Sequence, residues 1–507
     1  MKKKLCLVMS VLLLVSMFAV ACKTEEPPEL LPDEPLVEEG RGDVVISING
    51  DISSFDPFHQ MLDADIIVYR QIYDTLLYLT PDRSIEPRLA ESYTVNDDST
   101  VFTFKLRDDV KFHNGEMLQA SDVVFSLNHY MESPFLSAFV GGIADVQDAG
   151  DNTVVVTMHE PNAPFLAYAA EIISIVSEKA ITEGGENYDD APVGTGPYKY
   201  VSYARANQIV FTRNEDYYRG VPPIKDLTLR VMPNPSTSVI ALRAGDIDFS
   251  IVMAADYATV SNDSSFNMGV YPSLIAEYAI LNHAADTFDD VRVRQAINYA
   301  IDREFILEST AEGLGRVAKN MLPPGVLGYS PAIDIDYDYN PEAASSLLTQ
   351  AGISIPFDIG KIITIEPFAL TSQIVLQNLE AVGLTGTIDV MEFTRFNESL
   401  MTGDFAIACV QLGLTSDPDS YSNLLTPENI GGMNFAGYDN PKMTELFDKG
   451  RATADIDERV EIYNELFIIA GQDAAYATLF FPESHYAWNK DLKAPHNVSF
   501  HVYDMSW

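Results

Sequence analysis

The sequence predicts an α/β fold, and three observations support this prediction. Short segments alternate apolar and polar residues, as in Phe102-Thr103-Phe104-Lys105-Leu106, which is the pattern of a half-buried strand. Other segments are amphipathic with helix signals at both ends, such as the one that begins at Asn340-Pro341 and stops at Gly352. In the second half of the chain, helix and strand patterns follow each other, which is typical of α/β layering rather than of a β-sandwich.

The individual elements follow from the same two periodicities. Val44, Ile46 and Ile48 alternate with smaller or polar residues and predict the first strand. Alternation and apolar content predict further strands over 152–158, 387–393 and 405–411. Apolar stripes at helical spacing predict helices over 65–77, 120–130, 292–307, 371–383 and 457–472. No period repeats along the chain, which argues against solenoids and propellers.

The first 22 residues have the layout of a secretory signal. Three lysines precede an apolar run over 5–15, and small residues lead to Ala19-Val20-Ala21-Cys22. Cys22 resembles the lipobox cysteine of bacterial lipoproteins, whose thiol takes a diacylglyceryl group. Lipoboxes usually carry Leu at the position of Ala19, so cleavage by the general signal peptidase is the alternative. We expect a lipoprotein signal peptide over 1–22 with Cys22 as the lipid anchor.

An acidic, proline-rich segment follows over 23–42. It contains few large apolar side chains and cannot bury enough surface to fold, so we expect a disordered tether. The rest of the 507 residues are too many for one core and predict two or three domains.

The charge of the chain excludes one class of function. A net charge of −42 argues against nucleic-acid binding, which needs a basic surface. The excess of acid fits solubility, adaptation to a salty medium or attraction of cationic ligands.

No constellation of catalytic or metal-ligating residues is present in the sequence. There is no G-x-S-x-G or H-E-x-x-H, and the eight histidines form no pair at helical spacing. The glycine-rich segment 313–318 follows a helix pattern rather than a strand, unlike a dinucleotide-binding loop. Cys409, in an apolar segment, is expected in the core. We therefore expect neither an enzyme nor a resident cofactor or metal.

Several motifs, in fixed order, carry a resemblance to a known family. They are PRLAESYTVNDDSTVFTFKLRDDVKFHNGEMLQASDVVFSLNHY over 87–130, GTGPY over 194–198, RN and YYRG over 213–220, AGDID over 244–248 and DVRVRQA over 290–296. The chain resembles the family 5 extracellular solute-binding proteins of ABC transporters, which include dipeptide-, oligopeptide- and nickel-binding proteins. The resemblance covers the chain from about Val44 to its C-terminus.

The resemblance implies a two-lobe periplasmic-binding-protein-like fold of type II, in its large three-subdomain form, with an interlobe ligand cleft and a hinge. Mapped onto this chain, the core of lobe I is 43–60, 178–272 and 483–507. A subdomain inserted in lobe I is 61–177, and lobe II is 273–482. The chain would cross between lobes near Tyr271-Pro272 and Phe481-Pro482.

The resemblance also indicates candidate ligand-binding residues. From the first lobe these are Met61, Leu62 and Asp63, and from the second lobe Gln411, Gly413, Leu414, Asp417, Asn434 and Phe435. Dipeptide-binding relatives carry an aspartate for the ligand's α-amine at the position of Leu414. Either Asp417 supplies that charge from a shifted backbone, or the ligand has no free amine.

We therefore expect a substrate-binding lipoprotein of an ABC importer that captures di- or oligopeptides and delivers them to permease subunits. The alternatives are a binder of oligosaccharide, another organic solute or a nickel chelate, and a surface sensor that does not transport. We expect a monomer outside the cytoplasm that meets the membrane only through its lipid anchor.

Overall fold

The computed structural model describes residues 42–59, 63–80, 84–133, 136–271, 274–285, 287–494 and 502–507. The predicted signal peptide, Cys22, the tether up to residue 41, and Met61 and Leu62 lie outside these ranges. Within them, no helix has both the length and the apolar character needed to cross a membrane.

The strands, in chain order, are β1 (Asp43–Ile48), β2 (Leu77–Leu79), β3 (Ile85–Pro87), β4 (Ala90–Val95), β5 (Val101–Leu106), β6 (Ile143–Asp148), β7 (Thr153–Met158), β8 (Tyr198–Ala204), β9 (Gln208–Arg213), β10 (Asp226–Val231), β11 (Phe249–Val252), β12 (Phe266–Tyr271), β13 (Ile275–Leu281), β14 (Gly315–Val317), β15 (Phe357–Ile365), β16 (Leu384–Met391), β17 (Ile407–Gly413), β18 (Ala477–Pro482) and β19 (Ser484–Asn489).

The α-helices are α1 (Asp63–Ile72), α2 (Ala120–Glu132), α3 (Ser137–Val140), α4 (Phe165–Glu171), α5 (Glu178–Gly184), α6 (Pro235–Ala244), α7 (Ala254–Ser261), α8 (Val291–Ala300), α9 (Arg303–Ala311), α10 (Pro341–Gln350), α11 (Ala369–Ala381), α12 (Phe393–Thr402), α13 (Ser422–Leu425), α14 (Pro441–Arg451) and α15 (Ile456–Gln472). Short 3₁₀ helices occupy Pro57–His59, Gly185–Asp190, Pro331–Ile333, Glu366–Phe368, Pro418–Tyr421, Pro427–Asn429 and Val502–Asp504.

Two large mixed sheets organise the described residues. The core sheet has seven strands in the order β12-β19-β11-β1-β10-β9-β8, with β1 parallel to both of its neighbours. The second sheet has six strands in the order β14-β18-β13-β17-β15-β16, with β15 parallel to both of its neighbours. A four-stranded antiparallel sheet, β4-β5-β7-β6, and the hairpin β2-β3 lie between β1 and β8 in sequence. The α/β class predicted from the sequence is confirmed.

Most of the predicted elements are present, because their periodicities match the faces that are buried. Val44, Ile46 and Ile48 are buried on β1, and Phe102, Phe104 and Leu106 are buried on β5. The side chain of Asn340 accepts a hydrogen bond from Ala343 N at 2.9 Å and caps α10 as predicted. Cys409 is fully buried, as expected for a core residue.

Two helix predictions are wrong in their extent. The helix predicted over 65–77 ends at Ile72, because the chain leaves the helix there and enters β2 at Leu77. Tyr73, Leu76 and Leu77 are buried as the apolar stripe predicts, but in a non-helical segment. The single helix predicted over 292–307 is two helices, α8 and α9. The side chain of Asp302 accepts from Phe305 N at 2.9 Å and starts α9 as a cap.

Candidate functional site

A cavity of about 890 Å³ lies between two sets of residues that are distant in sequence. We call these sets the first wall and the second wall. The first wall consists of Ile66, Arg70, Phe139, Gly141, Gly142, His159, Glu160, Pro161, Asn162, Tyr168, Glu171 and Ile172. The second wall consists of Leu274, Gly413, Leu414, Thr415, Ser416, Asp419, Ser420, Ser422, Asn423, Met433 and Arg451. Clefts of this size, with apolar surface and a few polar groups, are typical of small-molecule sites.

Among the described residues, one hydrogen bond joins the two walls directly and another joins the second wall to a neighbour of the first. The Ser416 hydroxyl in the second wall donates to a carboxylate oxygen of Glu171 in the first wall. The backbone N–H of Ala163, next to Asn162, donates to the carbonyl oxygen of Arg451 at 2.8 Å. The two walls are therefore in contact at the margin of the cavity.

Helix α1 of the first wall is held by closely packed neutral groups. The N–H of Gly196 donates to Ile72 O at 2.8 Å, and a Cβ atom at Gly194 or Gly196 would overlap the Ile72 carbonyl group. His113 bonds the same loop, with Nε2 2.9 Å from Gly196 O and Nδ1 3.4 Å from Gly194 N. Burial lowers the pKa of His113 to about 4, so the ring is neutral at pH 7. Only glycine allows this loop to approach the end of α1.

Three of the family-like motifs meet at Asp74, just beyond α1. Asp74 forms an ion pair with Arg88, and both side chains are buried. Asp74 also accepts from Tyr217 Oη at 3.2 Å and from Thr195 Oγ1 at 3.4 Å. These residues support the first wall and do not line the cavity.

Buried ion pairs hold the second wall. Arg459 donates to both carboxylate oxygens of Asp417, at 2.9 and 3.0 Å, and the two side chains are 5% and 2% exposed. Beside them, Asp419 pairs with Arg451 Nε at 3.0 Å and accepts from Tyr463 Oη at 3.1 Å. Burial raises the pKa of Asp419, while the Arg451 guanidinium opposes that shift. These pairs fix the loop that follows β17.

One charged side chain of the first wall has no such pairing. Within the described part of the chain, the Arg70 guanidinium has no hydrogen-bond or ion-pair partner. Burial lowers the pKa of Arg70, and the nearby Glu171 partly opposes the shift. Arg70 is half-buried and lines the cavity, so its N–H donors are open to a group that binds there.

The end of β17 forms an open strand edge in the second wall. β17 pairs with β13 from Ile407 to Gly413, but with β15 only from Ile407 to Cys409. On the β15 side, the last four residues of β17 therefore have no strand partner among the described residues. Gly413, at the end of this edge, is exposed and lines the cavity.

The predicted binding residues fall into three groups. Gly413 and Leu414 line the cavity. Asp63 begins α1, the helix that supplies Ile66 and Arg70. The other four described candidates do not line the cavity; they are Gln411, Asp417, Asn434 and Phe435.

In three of these four residues, the polar side-chain groups form hydrogen bonds or ion pairs with other residues of the protein. Gln411 Nε2 donates to the buried Glu277 at 2.9 Å. Asn434 bonds the backbone of Thr426 and Tyr438 with both ends of its amide. The carboxylate of Asp417 is occupied by Arg459, and the ring of Phe435 packs on the core of the second sheet.

Sequence reasoning missed Arg70, Glu171 and Arg451. Arginine and glutamate on a helix usually indicate a solvated face, so the residue types alone did not mark these positions as part of a binding site. Spacing did carry a signal, because Arg70 lies four residues after Ile66 and within the stripe that includes Tyr69 and Tyr73.

A second cavity, of about 460 Å³, lies wholly among residues 298–478. Its Arg303 donates to backbone carbonyls and to Asn298, and its Lys319 pairs with Asp336 and Asp338. Among the described residues there is no cluster of three or more histidine, cysteine, aspartate or glutamate side chains that could hold a metal ion. The cavity between the two walls is therefore the better candidate site.

Comparisons with known proteins agree with this arrangement. Residues 84–432 match the sequence profile of the bacterial extracellular solute-binding proteins, family 5 middle. The chain is 29% identical to heme-binding protein A of Haemophilus influenzae, over 80% of this chain and 81% of that protein. It is also 29% identical to the dipeptide-binding protein of Escherichia coli, over 78% of this chain and 82% of that protein.

The solved structure of HbpA2 from Haemophilus parasuis superposes with a TM-score of 0.83 at 26% identity, covering 92% of this chain and 99% of that one. This likeness agrees with the predicted two-lobe α/β fold. With more than half of its length matched by the family profile, the chain belongs to the family 5 bacterial extracellular solute-binding proteins.

Proposed function

We propose that this protein captures peptides in the cavity between its two walls and delivers them to the permease of an ABC importer. One observation carries the peptide part of the proposal. The open edge of β17 ends at Gly413, which lines a cavity that is large enough for a small ligand.

An extended peptide can add to an open strand edge through main-chain hydrogen bonds, which give affinity without reading side chains. Gly413 suits this role because it has no side chain to keep a ligand backbone away from the edge. Leu274, Leu414 and Met433 provide apolar surface beside the edge for ligand side chains.

The names of the similar proteins support solute binding but differ in the ligand. One is a dipeptide-binding protein and another, at the same identity, is a heme-binding protein. The experiment must therefore compare ligand classes directly.

A thermal-shift assay of the purified protein tests the ligand class. The ligands are a random tripeptide library, oligosaccharides, nickel–histidine and hemin, each at the same concentration. A bound ligand at a hundredfold excess over its Kd stabilises the protein by about 2.7 kcal/mol, so a clear shift with the peptide library is expected. A shift with another class and none with peptides would contradict the proposal.

We also propose the lobe boundaries 43–60, 178–272 and 483–507 for the core of lobe I, 61–177 for its inserted subdomain and 273–482 for lobe II. All strands of the core sheet fall in the first three ranges, and all strands of the second sheet fall in the last one. Closure of the lobes about Tyr271-Pro272 and Phe481-Pro482 would enclose the ligand.

The proposed location is the outer face of the cytoplasmic membrane or the cell surface, with Cys22 as the lipid anchor. The signal-like segment 1–22 supports this location. Replacing Cys22 with Ser should move the protein from the membrane fraction to the soluble fraction. An unchanged distribution would contradict the anchor.

A further inference from the structure

The cavity contains an uneven set of charges. Its carboxylates are Glu160, Glu171 and Asp419, and its guanidinium groups are Arg70 and Arg451. Arg451 is already neutralised, because it pairs with Asp419 at 3.0 Å and with Asp448 at 3.4 Å. Among the described residues that line the cavity, Arg70 is thus the one guanidinium without a bonded carboxylate.

The carboxylate nearest to Arg70 in charge effect is not bonded to it. Glu171 lies near enough to raise the pKa of Arg70, but no hydrogen bond or ion pair joins the two side chains, and Glu171 accepts a hydrogen bond from Ser416 of the opposite wall. In a chain with a net charge of −42, a guanidinium in a cleft that is bonded to no carboxylate is unusual. A guanidinium is a fork of donors that matches a carboxylate with two parallel bonds.

We propose that Arg70 binds a carboxylate group of the ligand, and this proposal rests on the proposed function. It assigns each wall a different part of one peptide. The edge of β17 in the second wall pairs with the backbone, and Arg70 in the first wall holds the acidic group. A ligand that bridges both walls in this way stabilises their contact, so recognition of the carboxylate also favours closure.

The carboxylate has two possible sources in a peptide, the C-terminus and an acidic side chain. Three tripeptide libraries distinguish these two sources. The first has free C-termini, the second has amidated C-termini, and the third has amidated C-termini and carries Glu at each position in turn. All three are measured by thermal shift, and the strongest binders are then titrated by calorimetry.

Arg70→Met removes the charge and keeps an unbranched side chain, and Arg70→Gln keeps a polar group in case the first variant folds poorly. The matched control is Arg243→Met, which removes an exposed arginine of α6 that lies outside both walls. A charge-assisted bidentate contact predicts that Arg70→Met weakens binding of carboxylate-bearing peptides by roughly 10- to 100-fold. Binding of the plain amidated library should not change, and the control should bind like the unaltered protein.

The outcomes separate this proposal from the one it rests on. Equal binding of free-acid and amidated libraries, or an Arg70→Met variant that keeps the full preference for a carboxylate, overturns the role of Arg70 alone. No binding of any library overturns the peptide function and the role of Arg70 with it. A preference for free C-termini that disappears in both Arg70 variants supports the C-terminal carboxylate, and a preference confined to the Glu library supports a side-chain carboxylate.

Discussion

The two walls of the cavity differ in the partners of the charged residues that line them. The first wall depends on α1, whose end packs against the glycine loop that His113 bonds, and on the buried Asp74–Arg88 pair beyond it, and neither residue of this pair lines the cavity. The second wall depends on buried ion pairs, Asp417 with Arg459 and Asp419 with Arg451. The arginines differ accordingly, because those of the second wall are paired within the protein whereas Arg70 of the first wall is not.

This difference distinguishes charged residues that stabilise the protein, such as Asp417 and Arg459, from Arg70, which we propose binds the ligand. The ion pairs of Asp417 and Asp419 fix the loop after β17. The first wall presents instead a guanidinium that is bonded to no carboxylate. In this protein, a charged residue in the cavity is thus informative about ligands only when its own partners are known.

The largest expected effect comes from breaking the Asp417–Arg459 pair. Arg459→Met leaves the Asp417 carboxylate buried without its cation, and this should lower the free energy of unfolding by about 3–5 kcal/mol. Urea unfolding measures the change. The double variant Asp417→Asn with Arg459→Met should recover part of the loss, because no buried charge remains.

The matched control for this pair is Lys442→Met, which removes an exposed ion pair with Glu445 on α14. Exposed pairs contribute roughly 0–1 kcal/mol, so this variant should remain close to the unaltered protein. A loss at Arg459 no larger than that of the control would show that the second wall does not depend on its buried pair.

Acid should weaken the support of the first wall through His113. Its folded-state pKa of about 4 lies below the ordinary value of 6.5, so the unfolded chain binds more protons between these values. Stability is therefore present above pH 6.5 and is lost as the pH falls towards 4. The full shift corresponds to about 3.4 kcal/mol. Because His113 is half-buried rather than fully buried, we expect about 2 kcal/mol.

Urea unfolding at pH 7 and pH 4.5 tests the effect of His113. His113→Gln should lose less stability than the unaltered protein over this range, whereas a control variant of the exposed His59, His59→Gln, should lose as much. Identical losses in all three proteins would show that His113 does not contribute to the acid sensitivity.

A carboxylate added to the second wall should change ligand preference. Leu414 lines the cavity, and the sequence resemblance implies that this is the position of an amine-binding aspartate. Leu414→Asp should therefore bind free-amine tripeptides about tenfold more tightly, equivalent to about 1.4 kcal/mol. Calorimetric titration against N-acetylated tripeptides measures the preference. Leu414→Asn, which is similar in size but uncharged, should show no gain, and a gain in neither variant would remove Leu414 from the amine site.

The smallest expected effect concerns the contact between the walls. Ser416→Ala removes the hydrogen bond to Glu171 and should weaken peptide binding about fivefold, since the bond contributes about 1 kcal/mol to the closed form. Ser236→Ala, which removes a similar serine–carboxylate bond outside the cavity, serves as the control and should leave affinity unchanged. Equal affinities in both variants would show that the bond does not assist closure.

Much of the fold could be predicted because local patterns and burial agree. The alternation in β1 and β5 matches the faces that the sheets bury, and Asn340 caps α10 as its type and position predict. The errors lie where tertiary packing decides the outcome. Tyr73 continues the helical stripe of α1 but belongs to the following segment, and Asp302 divides one apolar stripe into two helices.

The candidate site was harder to predict, because lining a cavity depends on the direction of a side chain. The position of Gly413 and Leu414 follows from their place at the end of a strand. Gln411 and Asp417 have suitable types and neighbouring positions, yet their polar groups are bonded behind the wall. Whether Arg70 has a partner depends on residues that are about a hundred positions away in sequence, and no local pattern contains that information.

The open edge of β17 has a further consequence for the behaviour of the protein at high concentration. Unpaired strand edges on a protein surface promote aggregation, and natural proteins commonly cover or shorten them. Here the edge is only four residues long and ends at Gly413 in the cavity. A short edge of this kind can pair with one extended segment but gives the sheet of a second molecule little to pair with, so ligand binding and resistance to aggregation are compatible.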